Sequence, residues 1–143
     1  MRQNGIYKIT YIEDDSNTRM FVKAILTKKL PVPVEWTEFD NGTSFLEAIR
    51  HDFDVDLLIT GVGLPGVSIY EFLPEFVQMY PEVPVIFLTG NYVPTEKRQD
   101  SETDGIIKSL PDNFGDKFGI KRYKMIPKPF EVEPFVREVQ KFL

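Results

Sequence analysis

Carboxylate, hydroxyl and ammonium side chains follow three apolar segments of this chain. They are Glu13 and Asp14 after the first segment, Thr89 at the end of the second, and Lys128 after the third. Carboxylates hold Mg²⁺ through hard oxygen ligands, and hydroxyl and ammonium groups bind phosphate oxygens. The set is therefore typical of a phosphoryl-transfer site, but it contains no evident nucleophile.

These side chains can form one site only if a common sheet positions them. Apolar runs alternate along the chain with segments of helical periodicity, which is the pattern of parallel strands joined by crossover helices. In such an α/β sheet the loops at the carboxyl ends of the strands converge, and ligands bind there. The sequence therefore predicts one crevice, lined by Glu13, Asp14, Gly61, Thr89 and Lys128.

The predicted strands are five short apolar segments, at residues 6–12, 34–39, 55–60, 85–89 and 123–126. Apolar side chains spaced by three and four predict helices after Asp15 or Ser16, after Asn41, over residues 68–80 and over residues 132–143. Two pairs, Ser44 with Glu47 and Ser68 with Glu71, have the spacing of a capping box. Pro74 should bend the third helix or delay its start.

The connection between Gly90 and Arg122 is longer than the ~15 to 24 residues that one helix and two short loops require. Its polar composition predicts two short helices, or one helix and a mobile loop. We expect residues 100–119 to be a surface insertion, so that deleting residues 101–116 leaves the thermal transition largely intact.

Composition limits the classes of protein that this chain can represent. A length of 143 residues, with 42% hydrophobic and 27% charged, is typical of one globular domain over residues 1–143, without an output domain. No apolar stretch reaches the ~18 to 20 residues that span a bilayer, and the N-terminus lacks a signal-peptide core, so we expect a cytoplasmic protein. The absence of cysteine excludes thiolate sites and leaves carboxylates as metal ligands.

The charge balance argues against nucleic acid and membrane as partners. The chain has 17 basic and 22 acidic residues and a net charge of −5, which repels phosphate backbones and anionic lipids. A basic cluster at Lys117, Lys121, Arg122 and Lys124 is more typical of a solvated face than of a phosphate-binding surface.

Four motifs in this order resemble the receiver domain of bacterial two-component response regulators. They are Glu13-Asp14-Asp15, Leu64-Pro65-Gly66, Thr89 and Lys128-Pro129. The resemblance covers nearly the whole chain except the long connection after the fourth strand. It implies a flavodoxin-like (βα)5 three-layer sandwich, with a parallel five-stranded sheet of order 2-1-3-4-5.

The resemblance also implies a role for each crevice residue. In receivers the phosphoacceptor aspartate lies four residues before the proline of the Leu-Pro-Gly turn, and here that position is Gly61. Glu13, Asp14 and the backbone carbonyl of Gly63 match the metal ligands, Thr89 the switch hydroxyl, and Lys128 the lysine that contacts the phosphoryl group. Without the aspartate, the expected cofactor is none, or weakly bound Mg²⁺.

No nearby side chain replaces the missing acceptor in this interpretation. Asp54 and Asp56 precede the third strand and should lie at its far end, about 16 Å from Gly61 at ~3.3 Å per residue. Thr60 is adjacent to Gly61, but its hydroxyl has no evident base. The family further implies a cis Lys128–Pro129 bond, and an aromatic switch residue at the position that Met125 occupies.

A purely structural explanation of the site remains open. Glu13 and Asp14 can serve to cap the following helix, and Lys128 can neutralise both carboxylates directly.

Two functions are weighed on these observations. The first is a degenerate receiver that binds a protein partner without phosphorylation, through the long connection, the fifth strand and the last helix. Its partner would be a histidine kinase, an output protein or another signalling protein. The alternative is a small Mg²⁺-dependent phosphate hydrolase that uses the crevice of Glu13, Asp14 and Lys128.

Overall fold

A parallel five-stranded sheet forms the centre of the molecule in the computed structural model, which describes residues 5–51, 53–94 and 109–143. The strands are β1 (Tyr7–Ile12), β2 (Val34–Phe39), β3 (Leu57–Thr60), β4 (Val85–Thr89) and β5 (Tyr123–Pro127). Their order across the sheet is β2-β1-β3-β4-β5, and every neighbouring pair is parallel. The predicted strand order is confirmed.

Helices cover both faces of this sheet. They are α1 (Ser16–Lys29), α2 (Gly42–Ile49), α3 (Ile69–Met79), a short 3-10 helix (Phe114–Phe118) and α4 (Val132–Gln140). Buried side chains of α2, α3 and the 3-10 helix form one core with one face of the sheet, and those of α1 and α4 form a second core on the other. The three-layer α/β sandwich is therefore confirmed.

The helix starts follow from short polar side chains that accept backbone N–H groups. Asp15 caps α1 by accepting from the Thr18 N–H at 3.0 Å, and Ser68 caps α3, both as predicted. The predicted Ser44 cap is wrong. Asn41 accepts from the Ser44 N–H at 2.8 Å, so α2 begins at Gly42 and Ser44 lies inside its first turn.

Pro74 neither delays nor ends α3. The helix runs without a break from Ile69 to Met79 with the proline inside it. A proline removes one backbone hydrogen bond, but the same helix buries Ile69, Phe72, Leu73 and Phe76. This burial offsets the lost bond and keeps the helix continuous.

The end of the long connection is part of the core, so the prediction of a surface insertion over residues 100–119 is wrong there. Phe114 is fully buried, with its ring centroid 5.2 Å from that of Phe87. A Cβ atom at Gly115 would lie 2.6 Å from the Tyr123 ring, so only glycine permits this approach. Residues 95–108, which include the start of the predicted deletion, lie outside the described residues.

The basic cluster forms an exposed face, as predicted, and its side chains contact groups of the protein itself. Lys117 Nζ lies 5.0 Å from the centroid of the Phe114 ring, and Arg122 lies over the Phe142 ring. Lys121 forms a salt bridge with Glu82. These contacts are those of a solvated surface.

None of the described helices combines the length and apolar character needed to cross a membrane.

Candidate functional site

A cleft of about 180 Å³ lies at the carboxyl ends of β1, β3, β4 and β5. The residues predicted to converge all line it: Glu13, Asp14, Gly61, Thr89 and Lys128. Gly63, which the family resemblance adds as a metal ligand, lines it too. They come together because parallel strands direct the loops that follow them to the same edge of the sheet. The structure therefore brings these residues together in one cleft at this edge of the sheet, as the sequence predicts.

Glu13 is the buried acidic group of this cleft. Its side chain is 3% exposed, and Oε1 lies 3.1 Å from the Lys128 Nζ atom. The other carboxylate oxygen, Oε2, accepts a hydrogen bond from the Asp15 N–H at 3.1 Å. A buried carboxylate must be paired and hydrogen-bonded, and Glu13 is both. Lys128 is therefore an ion-pair partner of Glu13, as the structural explanation of the site proposed.

Gly61 lies where β3 ends and contributes no side chain to the cleft. Its N–H donates to the Ile12 carbonyl at 3.0 Å, and its φ is not in the left-handed region that favours glycine. A Cβ atom here would lie 3.3 Å from Leu64 Cδ2. The backbone therefore permits a side chain, and the half-buried Leu64 is the neighbour that would have to shift.

The two hydroxyl groups near the cleft are engaged with the backbone. Thr89 is buried, and its Oγ1 accepts from the Asn91 N–H at 3.1 Å, which fixes the first turn after β4. Thr60 is also buried, and its Oγ1 donates to the Gly61 carbonyl at 2.8 Å. Thr60 does not line the cleft, so it is not placed to act as a nucleophile.

The residues present do not fit a resident Mg²⁺ ion. Of the two carboxylates in the cleft, Glu13 is occupied by Lys128 and Asp15, and Asp14 is exposed. Across the described parts of the chain, no three His, Cys, Asp or Glu side chains lie close enough together to hold a metal ion. Mg²⁺ demands near-octahedral oxygen coordination. Asp14 is the one cleft carboxylate without a bonding partner among the described residues, and a single carboxylate cannot supply such a coordination shell.

Asp54 and Asp56 are at the opposite end of the sheet, as predicted. Asp54 Oδ2 pairs with Lys8 Nζ at 2.7 Å, and Asp56 accepts from the Lys8 N–H at 2.8 Å. The hydrogen bond to Asp54 raises the pKa of Lys8. Both carboxylates stabilise the start of β1 and cannot reach Gly61.

The strand before Lys128 contains a contact that the sequence analysis missed. The Lys128–Pro129 bond is cis, as predicted, and Met125 is buried in the core.

The aromatic residue of this strand is Tyr123, whose hydroxyl donates to Asp116 Oδ1 at 2.7 Å. Burial, together with this hydrogen bond, raises the pKa of Tyr123 to about 12. Alternation places Tyr123 and Met125 on one face, which is the signal that could have indicated this packing.

Comparison with known proteins decides between the families that share this fold. A model of the response regulator receiver domain family matches residues 9–111. The chain belongs to the response regulator receiver domain family. Receiver domains of two-component systems are generally signalling modules rather than enzymes, and they interact with proteins such as kinases and output domains.

Two curated relatives contain the matching region in proteins of very different length. The transcriptional regulator NtrC of Escherichia coli K12 is 25% identical over 139 residues, which are 97% of this chain and 25% of NtrC. The receiver protein CpdR of Brucella abortus strain 2308 is 25% identical over 136 residues, 95% of this chain and 96% of CpdR. The chain thus spans about a quarter of NtrC.

Solved receiver structures share the fold. A CheY-like receiver from Methanospirillum hungatei JF-1 superposes with a TM-score of 0.67 at 20% identity, covering 95% of this chain and 92% of the other. CheY4 of Vibrio cholerae also gives a TM-score of 0.67 at 20% identity, covering 96% and 99%. At this identity the likeness concerns the fold alone.

Replacing Lys128 with methionine is expected to lower the free energy of unfolding by about 1–3 kcal/mol, because Glu13 stays buried without its cation. The effect is smaller than for a fully buried pair, since the Lys128 side chain is 29% exposed. Chemical denaturation of K128M, E13Q and the double variant measures it. Additive losses in that cycle would show that the pair contributes no coupling energy.

Proposed function

We propose that this chain is a degenerate receiver domain that acts by protein–protein interaction, without phosphorylation at the usual acceptor position. The observation that carries the proposal is Gly61 at the end of β3, in a cleft that contains Thr89 and Lys128 but no carboxylate from this strand. The cleft in this view is the remnant of a phosphate site, with Glu13, Asp14 and Gly63 as remnants of its metal site.

The Glu13–Lys128 pair supports this interpretation. Lys128 has an anionic partner 3.1 Å away inside the protein, so its charge is balanced without a phosphoryl group. Glu13, for its part, has little remaining capacity for a metal ion. The charges of Glu13 and Lys128 therefore balance each other without a ligand, and one arrangement of the pair is expected to dominate.

The absence of a phosphoryl ligand also bears on conformational switching. A ligand shifts a two-state equilibrium only by its differential affinity for the two states. With no acceptor at Gly61, and with Met125 buried at the position of the switch aromatic, we expect one ligand-independent conformation. A partner would then recognise a fixed surface.

We place this surface at β5, α4 and the long connection that precedes β5. The partner would be a histidine kinase, an output protein or another signalling protein. The described part of the connection supports this placement, because Phe114 and Gly115 fix the 3-10 helix against the sheet beside β5.

The phosphate hydrolase that the sequence left open has no observation in its favour. In the cleft, Glu13 is neutralised by Lys128, and Asp14 is the other carboxylate. Hydrolysis would require a base and a held metal ion, and this pair of residues supplies neither. We therefore propose a binding module and not an enzyme.

Incubation of the protein with Mg²⁺ and acetyl phosphate is the direct test. Because Gly61 offers no carboxylate, intact-mass spectrometry should show no phosphoryl adduct. A stoichiometric adduct that peptide mapping places on Asp14 or Glu13 would contradict the proposal. Mg²⁺-dependent turnover of p-nitrophenyl phosphate, measured on the same sample, would instead support the hydrolase.

A further inference from the structure

Among the residues that the structure describes, the outer side of β5 is an open edge of the sheet. β5 is the last strand in the order, and β4 is the one described strand that it pairs with. The Val85 N–H donates to the Arg122 carbonyl at 3.1 Å, and the Lys128 N–H donates to the Thr89 carbonyl at 3.0 Å. These two bonds fix which residues of the strand face β4.

Residues along a strand alternate between its two neighbours. Since Arg122 and Lys128 face β4, Tyr123 and Met125 direct their N–H and C=O groups to the outside. In the three described segments of the chain, no hydrogen bond reaches these outward groups. Pro127 adds an outward carbonyl but has no N–H. The edge therefore offers donors and acceptors at a spacing that only an extended backbone matches.

Two clefts flank this edge, one on each face of the sheet. The larger, of about 500 Å³, lies on the α4 side and is bounded by Ile126, Phe130 and Phe135. The smaller, of about 420 Å³, lies on the side of the 3-10 helix beside Tyr123. An added strand directs alternate side chains to opposite faces, so each cleft would receive every second side chain.

Charge indicates the chemistry of the occupant. The two clefts are lined by the carboxylates of Asp112, Glu131 and Glu138 and by one ammonium group, that of Lys124. Glu138 is already paired, since Lys124 Nζ lies 4.0 Å and Lys141 Nζ 3.1 Å from its carboxylate oxygens. The exposed Glu131, by contrast, forms no ion pair with any described residue, and it favours a basic side chain in the occupant. A second copy of this chain is disfavoured, because it carries a net charge of −5.

We infer that the open edge of β5 binds an extended peptide segment of a partner protein, which adds to the sheet as a further strand and carries apolar side chains together with a basic residue. This inference rests on the proposed function and specifies the kind of partner that the proposed surface at β5 binds. Main-chain hydrogen bonds to Tyr123 and Met125 supply register, and the apolar side chains of Ile126, Phe130 and Phe135 in the cleft beside α4 supply affinity.

The experiment uses a displayed library of random linear peptides, selected on the full chain. Selected peptides are synthesised and titrated into the isotope-labelled protein, and amide hydrogen exchange is followed by NMR. We expect the Tyr123 and Met125 amides to exchange at least ~10-fold more slowly when the peptide is bound. The Lys124 and Ile126 amides, already bonded to β4, should change little.

A charge variant tests the basic residue of the peptide. E131Q should weaken binding of the selected peptides by about two- to fivefold, as expected for loss of an exposed ion pair. E71Q, a neutralisation of an exposed carboxylate on α3, serves as the matched control and should leave affinity unchanged.

Three results would overturn the inference: no selected binder, binders that leave the Tyr123 and Met125 amides unprotected, or protection of these amides in the free chain. Protection that grows with protein concentration would assign the edge to a second copy. A phosphoryl adduct on the wild-type chain overturns the proposed function instead, and the exchange measurement then decides about the edge alone.

Discussion

Replacing Phe114 with alanine is expected to lower the free energy of unfolding by about 3–5 kcal/mol, one of the largest losses that a single truncation in this chain can produce. Phe114 is fully buried, and its ring packs against those of Phe87 and Phe118 at centroid distances of 5.2 and 5.3 Å. Truncation removes this apolar area and leaves a cavity beneath the 3-10 helix. Chemical denaturation with tryptophan or far-UV detection measures the loss.

An exposed aromatic residue provides the control for F114A. Phe21 on α1 is 53% exposed, so F21A should cost much less than F114A. Equal losses for the two variants would mean that the connection before β5 does not pack as described. The same reasoning reverses the expectation for deletion of residues 101–116, which removes Phe114 and Gly115 and should destabilise the fold.

Gly61→Asp is expected to convert the cleft into a metal site and to permit phosphorylation from acetyl phosphate. The substitution adds a carboxylate beside Glu13 and Asp14, and carboxylate oxygens are the ligands that Mg²⁺ prefers. The backbone at Gly61 accepts a side chain, but the new Cβ would lie 3.3 Å from Leu64 Cδ2. The expected results are a gain in Mg²⁺ affinity, measured by calorimetry, and a phosphoryl adduct in the mass spectrum.

Two further variants make the Gly61→Asp result interpretable. G63D places a carboxylate in the same cleft, where an added Cβ meets no atom within 4 Å, and it should not become phosphorylated. L64A combined with G61D removes the close neighbour and should strengthen any gain. If neither G61D nor the double variant binds Mg²⁺ better than the parent, the site has been placed wrongly.

The order of residue types along the chain is enough to predict the class of fold and the position of the cleft. Alternating apolar strands and amphipathic helices specify a parallel sheet, and the carboxyl ends of such strands must meet. Glu13, Thr89 and Lys128 could therefore be assigned to one crevice from their places along the chain. The helix starts at Asp15 and Ser68 could also be predicted, because a cap side chain bonds to a backbone N–H that is only two or three residues away in sequence.

Contacts between residues distant in sequence could not be predicted and are known from the folded structure. The sequence left the partner of Lys128 open, and the fold gave it Glu13, a residue 115 positions away. Sequence polarity suggested a peripheral connection, whereas the fold buried Phe114, since an isolated aromatic among polar residues carries no periodic signal. The open edge of β5 likewise depends on which strand comes last in the sheet and which of its residues face outward. Hydrogen-bond partners across a sheet are set by its three-dimensional order and register, and neither is a local property of the chain.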